Sequence, residues 1–258
     1  MDEDDLEFED IYAGEEDLNT AGVLYREAEG SWSPTQDIDW EQTIDLPDAE
    51  KRSLADAATQ FHYSNAVHLM LTGRLLEQAE DMETKKLALY LSFSKMRNVD
   101  AFGRYIGRVS VDTEIAPQTK EYLSRMSAEE DVVSLLLGMA VLGGTVGYGV
   151  LDHLREAGDP LFTEIADHVR QQKRDNEEIL VNRLSELLDQ ADEERQAAIR
   201  ETAAYYRERS AQIVLYHTDL LETLDLDPDE VAAHVRELTD ELYGKIGIDA
   251  ETLDQGPG

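Results

Sequence analysis

The chain has 258 residues, 57 acidic and 23 basic side chains, no cysteine, and a formal net charge of −34 at pH 7. Its length suits one large domain or two small ones, and a hydrophobic fraction of 41% is enough for a substantial core. The negative charge argues against nucleic acid or an anionic membrane as a partner, because their phosphates would be repelled. A chain without cysteine has no disulfides, thiolate metal sites or cysteine nucleophiles.

The excess of acid is typical of proteins from a high-salt cytoplasm. Only seven of the basic residues are lysines, and dense surface carboxylates keep such proteins soluble in concentrated salt. An acidic interaction protein or a disordered chain would have a similar composition. Because long stretches show strong apolar periodicity, and because residues 1–10 lack the basic and apolar regions of a signal peptide, we expect a folded, halophilic, cytoplasmic protein.

The N-terminal residues are the most acidic part of the chain. Residues 1–38 contain many acids and no base before Arg26, so we expect a poorly ordered arm. From residue 39 onward the apolar spacing is helical almost throughout. Helices are predicted at about 47–79, 82–109, 116–126, 128–157, 159–189, 192–224 and from 227 onward.

Three capping patterns mark where helices should begin. Asp159 is followed by Pro160, and Asp227 is followed by Pro228, which places a cap before a proline in the first turn. Ser127 with Glu130 has the spacing of a capping box. With no strand-like alternation of useful length, the sequence predicts an all-α fold. We expect a four-helix bundle over residues 39–190, C-terminal helices packed on it over 191–250, and a tail over 251–258.

One helix is apolar enough to cross a membrane. Residues 132–151 contain no charged side chain, and Gly143 and Gly147 form a G-x-x-x-G pattern. The flanking residues Asp131 and Asp152 are acidic, and no basic loop would set an orientation. We therefore interpret this stretch as the central helix of the bundle, with glycines that allow neighbouring helices to approach closely.

A polar row interrupts the apolar inner faces of the helices near their middle. Burying such a group without a partner costs a few kcal/mol, so the row is either a site or a satisfied network. Two pairs in the row have the same i, i+3 spacing on different helices. The row consists of Asn65, Lys95, Asn98, Tyr148, Gln172 and Asp175. The arrangement is that of a dimetal bundle, in which two helices each give a Glu and two others each give a Glu-x-x-His.

Two stretches of the sequence resemble the ferritin-like superfamily that includes the small subunit of ribonucleotide reductase. Residues 61–106 are similar to its first half, in which a helix with a glutamate precedes a D-E-x-R-H-x-x-x-F helix. Residues 147–178 are similar to its second half, and the resemblance covers about residues 40–190. The matching residues include Arg97, Phe102, Asp159, Pro160 and Arg174. The resemblance implies a ferritin-like bundle, an iron or manganese centre and oxidoreductase activity.

The sequence departs from that family at the positions of the metal ligands. Asn65 and Tyr148 stand where the family has glutamates, and each Glu-x-x-His is replaced as well, by Lys95 with Asn98 and by Gln172 with Asp175. Of the six, only Asp175 is an ordinary ligand for iron or manganese. We therefore expect no cofactor. We expect the Lys95 ammonium to occupy the metal position and to pair with Asp175, so that Lys95→Met would destabilise the protein.

Two histidines offer an alternative site. His68 and His168 lie near the inner faces of their predicted helices, and with Asp175 or Glu177 they could form a relocated iron or manganese site. Core histidines with satisfied hydrogen bonds would occupy the same positions.

The sequence leads to three hypotheses about function. The first is a degenerate ferritin-like protein, a pseudoenzyme that acts as a structural or regulatory subunit, as a homodimer or in a heteromer with another helical bundle. Multicomponent di-iron monooxygenases, which pair a catalytic bundle with one that has lost its metal, are the precedent. The second is an oxidoreductase with a relocated or mononuclear metal site. The third is a binder of a small ligand or lipid in the bundle interior.

Overall fold

Helices joined by short connections make up the described part of the chain. The computed structural model describes residues 32–253, apart from the side chains of 173–176 and 251. Within those residues there are helices and turns and no strand, which confirms the all-α prediction. The elements are α1 (Asp48–Gln78), α2 (Met82–Val109), α3 (Pro117–Ser127), α4 (Val132–Met139), a π-helical segment (Ala140–Val146), α5 (Gly147–Ala157), α6 (Pro160–Asp189), α7 (Glu193–Leu215), α8 (Thr218–Thr223), α9 (Pro228–Lys245) and α10 (Ala250–Leu253).

Aspartates begin most of the long helices. The Asp159 carboxylate accepts hydrogen bonds from the amides of Leu161 and Phe162 at the start of α6, as predicted. Asp227 accepts one from the amide of Asp229 at the start of α9. Such caps satisfy amide groups that the first helical turn leaves without partners, and they contribute about 1 kcal/mol each.

The predicted capping box at Ser127 is wrong. Ser127 is the last residue of α3, and its hydroxyl donates back to the carbonyl of Leu123 at 2.7 Å. The Arg74 guanidinium donates to the carbonyls of Ser127 and Glu129, which fixes the connection in a non-helical path. The next helix consequently begins later, where the Asp131 carboxylate accepts from the amide of Ser134.

The central helix contains a π-helical turn that the sequence did not predict. α4, the π segment and α5 form one continuous run over Val132–Ala157, and 78% of its most apolar window is buried inside the protein. This burial supports its interpretation as a core helix, although its length and composition alone would also allow a membrane span. Close helix approach occurs at Gly138 and Gly149, where an added Cβ would lie 2.8 Å from Tyr206 and 2.6 Å from Val235.

α1 and α2 form an antiparallel pair that packs against α6. The Phe61 and Phe102 rings stack at 5.1 Å between centroids, and Phe102 lies 6.4 Å from Phe162 of α6. The Tyr105 hydroxyl donates to the Asp159 carboxylate at 2.5 Å, which joins α2 to the start of α6. This aromatic layer lies one helical turn from Asn65 and Asn98 of the polar row and closes one end of the core.

The C-terminal helices pack on the outside of the π segment. α7 packs against α9, and both contact the π segment. Thr145 of the π segment and Thr239 of α9 share a hydrogen bond of 2.8 Å between their hydroxyls. The predicted single helix over 192–224 is interrupted, because the chain turns at Tyr216 and His217 between α7 and α8.

The last residues of the predicted N-terminal arm pack on the bundle. Ile38 is buried, the Trp40 indole donates to the Pro34 carbonyl at 2.5 Å, and the Asp39 amide donates to the Glu164 carboxylate of α6. Residues 1–31 lie outside the described residues, as do residues 254–258 of the predicted tail. A disordered arm therefore stays a prediction for residues 1–31.

Candidate functional site

Two asparagines join α1 and α2 at the centre of the bundle. The Asn98 side-chain amide donates to the Asn65 side-chain oxygen at 3.1 Å, and the Asn65 amide donates to the Phe61 carbonyl at 2.8 Å. The Asn98 Oδ1 atom is buried and has no hydrogen-bond donor among the described residues. The pair therefore satisfies most of its own hydrogen bonds and leaves one acceptor facing the interior.

Lys95 lies one turn before Asn98 on the same face of α2. Only 9% of the residue is exposed, and burial lowers the pKa of its ammonium to about 8. No hydrogen-bond acceptor or carboxylate within the described part of the chain reaches its Nζ atom. A buried ammonium without a counter-ion is costly, so this position favours a neutral amine or an incoming partner.

His68 of α1 faces the same region and is neutral at pH 7. Burial and the charge of Lys95 lower the pKa of its imidazole to about 3. Its Nδ1 atom donates to the Ser64 carbonyl at 2.7 Å, and this bond assigns the proton to Nδ1. The Nε2 atom is buried and makes no hydrogen bond of ordinary geometry among the described residues, although the Met139 carbonyl lies close enough to the ring to raise its pKa slightly against the two larger effects.

Gly143 of the π segment brings these two nitrogens together. A Cβ atom added at Gly143 would lie 3.0 Å from Lys95 Nζ and 3.3 Å from His68 Nε2. Both side chains therefore end against the same bare stretch of backbone, within about 6 Å of each other. The space exists because Gly143 has no side chain.

The remaining positions of the predicted polar row are Tyr148, Gln172 and Asp175. The Tyr148 hydroxyl donates to the Val169 carbonyl at 3.3 Å, and burial raises the pKa of this phenol well above its usual range. Gln172 is buried in α6. The Asp175 side chain lies outside the described residues, so its pairing with Lys95 stays a prediction.

The two histidines of the alternative site meet different neighbours among the described residues. His168 is only partly buried, and its Nε2 atom lies 3.3 Å from the Asp37 carbonyl, at the packed end of the N-terminal segment. His68 points instead to the π segment. Among the residues that the structure describes, no three His, Asp or Glu side chains lie close enough together to hold a metal ion.

Two cavities flank the π segment, and Gly143 and Tyr148 line both of them. The first has a volume of about 90 Å³ and mostly apolar walls, with Asn65, His68 and His217 among its lining residues. The second has a volume of about 160 Å³ and is lined by Lys95. Sequence reasoning missed His217, because it lies in a turn that was predicted to be helical.

No family model matches the sequence, and no curated protein matches it. A structure from Bacillus halodurans, provisionally assigned as a class I ribonucleotide reductase, is 12% identical, covers 90% of this chain and 93% of its own, and gives a TM-score of 0.66. A variant of an R2-like ligand-binding oxidase with an anaerobically reconstituted Mn/Fe cofactor is 14% identical, with 88% and 92% covered and a TM-score of 0.67. Another variant, reconstituted aerobically, is 15% identical with the same coverage and TM-score.

The chain has the ferritin-like R2 fold. The predicted resemblance is therefore confirmed at the level of the fold. The prediction that no cofactor accompanies this sequence is contradicted by these neighbours, because the R2-like ligand-binding oxidases carry Mn/Fe cofactors.

Proposed function

We propose that this R2-like protein acts as a structural or regulatory subunit and not as an oxidase that works through a dimetal centre in its bundle. The observation that carries the proposal is the chemistry of the side chains at the bundle centre. By the sequence resemblance, three amides, a phenol and an ammonium stand where the family has carboxylates and imidazoles.

The described side chains do not fit a Mn/Fe pair. Manganese and iron prefer carboxylate or imidazole donors, and Asn65 and Asn98 are neutral amides that share one hydrogen bond, with the Asn65 amide also donating to the Phe61 carbonyl. The Lys95 ammonium is a cation in the position that a metal cation would take, and the two would repel each other. A metal pair bound by this chain would need donors other than the described residues of the row.

A second feature supports a subunit role. Residues 57–76 of α1 and 84–99 of α2 contain no Asp or Glu, although the whole chain has 57. The outward side of this helix pair, which we call the acid-free face, exposes five large apolar side chains. They are Tyr63, Met70, Leu89, Phe93 and Met96. Exposed apolar surface of this kind marks interaction sites in soluble proteins.

A second copy of this chain is the partner that the acid-free face fits best. Elsewhere the surface is strongly acidic, so two copies repel each other except where acids are missing. At 1.5 Å per residue, the two stretches form a face roughly 25–30 Å long and about 20 Å wide. Its flat area of roughly 500–600 Å² is smaller than the roughly 800 Å² of accessible surface that each partner buries in a standard interface, so the face would form most of such an interface. Assembly with another helical bundle is the alternative.

Reconstitution tests the proposed role. Protein purified in concentrated KCl would be incubated with Mn²⁺ and Fe²⁺ and then exposed to oxygen, with metal content, oxygen consumption and molar mass measured on one sample. We expect a dimer that consumes no more oxygen than the free ions. Two metals per chain together with catalytic oxygen consumption would overturn the proposal.

Ligand binding is a second candidate function, and the first cavity favours it. The cavity lies inside the bundle between apolar walls, with the polar atoms of Asn65, Asn98 and His68 at one side. Such a site suits a small, mostly apolar molecule with one polar group. Native mass spectrometry of the purified protein tests this function. A retained small molecule would support it, and a protein that is empty and remains so with apolar probes would contradict it.

A further inference from the structure

The second cavity has apolar walls and two lysines, of which Lys95 is the buried one. Leu91, Met139, Leu180 and Val181 line its walls, and Lys95 lies beside Gly143 at its base. The volume of about 160 Å³ is close to that of engineered cavities that bind benzene. A small molecule of that size could therefore reach the Lys95 nitrogen with its apolar part against the walls.

Lys95 has the surroundings of a nucleophilic lysine. It is a primary amine that is nine-tenths buried, and no carboxylate of the described residues holds it in its charged form. Desolvation of this kind increases the fraction of neutral amine at neutral pH, and only the neutral amine can attack a carbonyl carbon. Burial lowers the Lys95 pKa to about 8, so about a tenth of the amine is neutral at pH 7.

His68 lies beside the amine without adding charge to the site. It meets the same Gly143 surface as Lys95 Nζ, and with its pKa lowered to about 3 the imidazole stays neutral at pH 7. It can therefore accept a hydrogen bond from the hydroxyl of an adduct on Lys95 without taking up its proton.

We propose that Lys95 forms an imine with a small, neutral, apolar aldehyde bound in the second cavity. The Lys95 nitrogen attacks the carbonyl carbon, and the proton it loses passes to the carbonyl oxygen to give a carbinolamine. Loss of that hydroxyl as water then forms the C=N bond. The balance is one amine and one aldehyde giving one imine and one water, without an oxidant or reductant.

The mouth of the cavity selects against anionic aldehydes. Glu177 and Glu241 stand there, and Lys245 already pairs with Glu177 at 2.6 Å. The net charge of this rim is negative, so a carboxylate-bearing molecule is repelled on entry. This inference goes beyond the subunit role, and it holds or fails independently of the acid-free face.

Reductive trapping tests the proposal. The full-length protein would be incubated at pH 7 with benzaldehyde and sodium cyanoborohydride, and the benzylated lysines would be mapped by peptide mass spectrometry. We expect Lys95 to be labelled about tenfold or more faster than Lys86, a lysine on the same helix that pairs with Glu83 at 2.9 Å. Equal labelling of the two, or labelling of surface lysines alone, would overturn the proposal.

Two controls separate binding in the cavity from simple reactivity. Lys95→Arg keeps the cation but cannot form an imine, so the fast label should disappear, whereas Lys86→Arg should keep it. 4-Carboxybenzaldehyde has a similar size but is anionic, and we expect it to label Lys95 at least about tenfold more slowly than benzaldehyde. Equal rates with both aldehydes, or protection of Lys95 by benzoate, would contradict the proposal and indicate an anion site.

Discussion

The most unusual residue in the bundle is Lys95, a buried amine whose Nζ atom no carboxylate of the described residues reaches. Because burial lowers its pKa to about 8 from an ordinary value of 10.5, the unfolded chain binds more protons between these pH values. Burial of the charged amine consequently lowers the free energy of unfolding by its full amount below pH 8. This reduction disappears as the pH rises to 10.5.

The described residues offer Lys95 no counter-ion, and on their contacts alone, without the Asp175 side chain, replacing Lys95 should stabilise the protein. We expect Lys95→Met to raise the free energy of unfolding at pH 7 by about 3 kcal/mol, and to raise it much less at pH 10.5. Urea unfolding at both pH values measures this, with Lys86→Met as the matched control. A loss of stability at pH 7 would contradict the expectation and would support the sequence-based prediction of an ion pair between Lys95 and Asp175.

His68 gives a second test of the bundle centre, at acidic instead of alkaline pH. Its folded pKa of about 3 lies below the ordinary 6.5, so the unfolded chain takes up a proton that the folded chain refuses. The free energy of unfolding is therefore not reduced by His68 above pH 6.5, and it declines as the pH falls towards 3. Between pH 6.5 and 5, where most carboxylates stay ionised, we expect His68→Gln to flatten the decline by up to about 1 kcal/mol per pH unit, measured by urea unfolding. An unchanged slope would show that His68 is protonated in the fold.

At the scale of the helices, the sequence predicted the long elements but missed the π segment. Capping aspartates such as Asp159 and Asp227 are local signals, and they place helix starts correctly. A π turn contains one more residue than an α-helical turn, so it shifts the helix face of every later residue by one position. A sequence reveals this shift only where polar and apolar residues alternate. Residues 132–151 are uncharged throughout, so nothing in that stretch marks the shift. The convergence of His68 and Lys95 on Gly143 depends on that turn and was not predictable.

The acid-free face belongs to the same scale and gives a direct test of assembly. We expect Phe93→Glu, which places a charge at the centre of the face, to weaken the dimer by about 2 kcal/mol or more, roughly thirtyfold in Kd. Light scattering across a concentration series in concentrated KCl measures this. Met82→Glu is the control, since Met82 is 57% exposed but lies outside the face. Equal effects of both substitutions would contradict an interface here.

For the whole molecule, the net charge of −34 sets the conditions in which the fold is stable. Mutual repulsion of surface carboxylates favours the unfolded chain, and salt screens it over a Debye length of about 10 Å at 0.1 M and about 3 Å at 1 M. We expect Tm to rise steadily with KCl, as measured by thermal unfolding monitored by circular dichroism. A Tm independent of salt would contradict the halophilic interpretation and, with it, the prediction of a high-salt cytoplasm.

The central claim is that the polar side chains at the centre of the bundle do not hold a pair of metal ions. Metal-soaked crystals test this claim most directly. Crystals soaked with Mn²⁺ and Fe²⁺ would give anomalous difference maps that locate every bound metal. We expect no dinuclear peak among Asn65, Lys95, Asn98 and Tyr148, with density for the Lys95 side chain between the other three. Two peaks within bonding distance of these side chains, with Lys95 displaced, would contradict it.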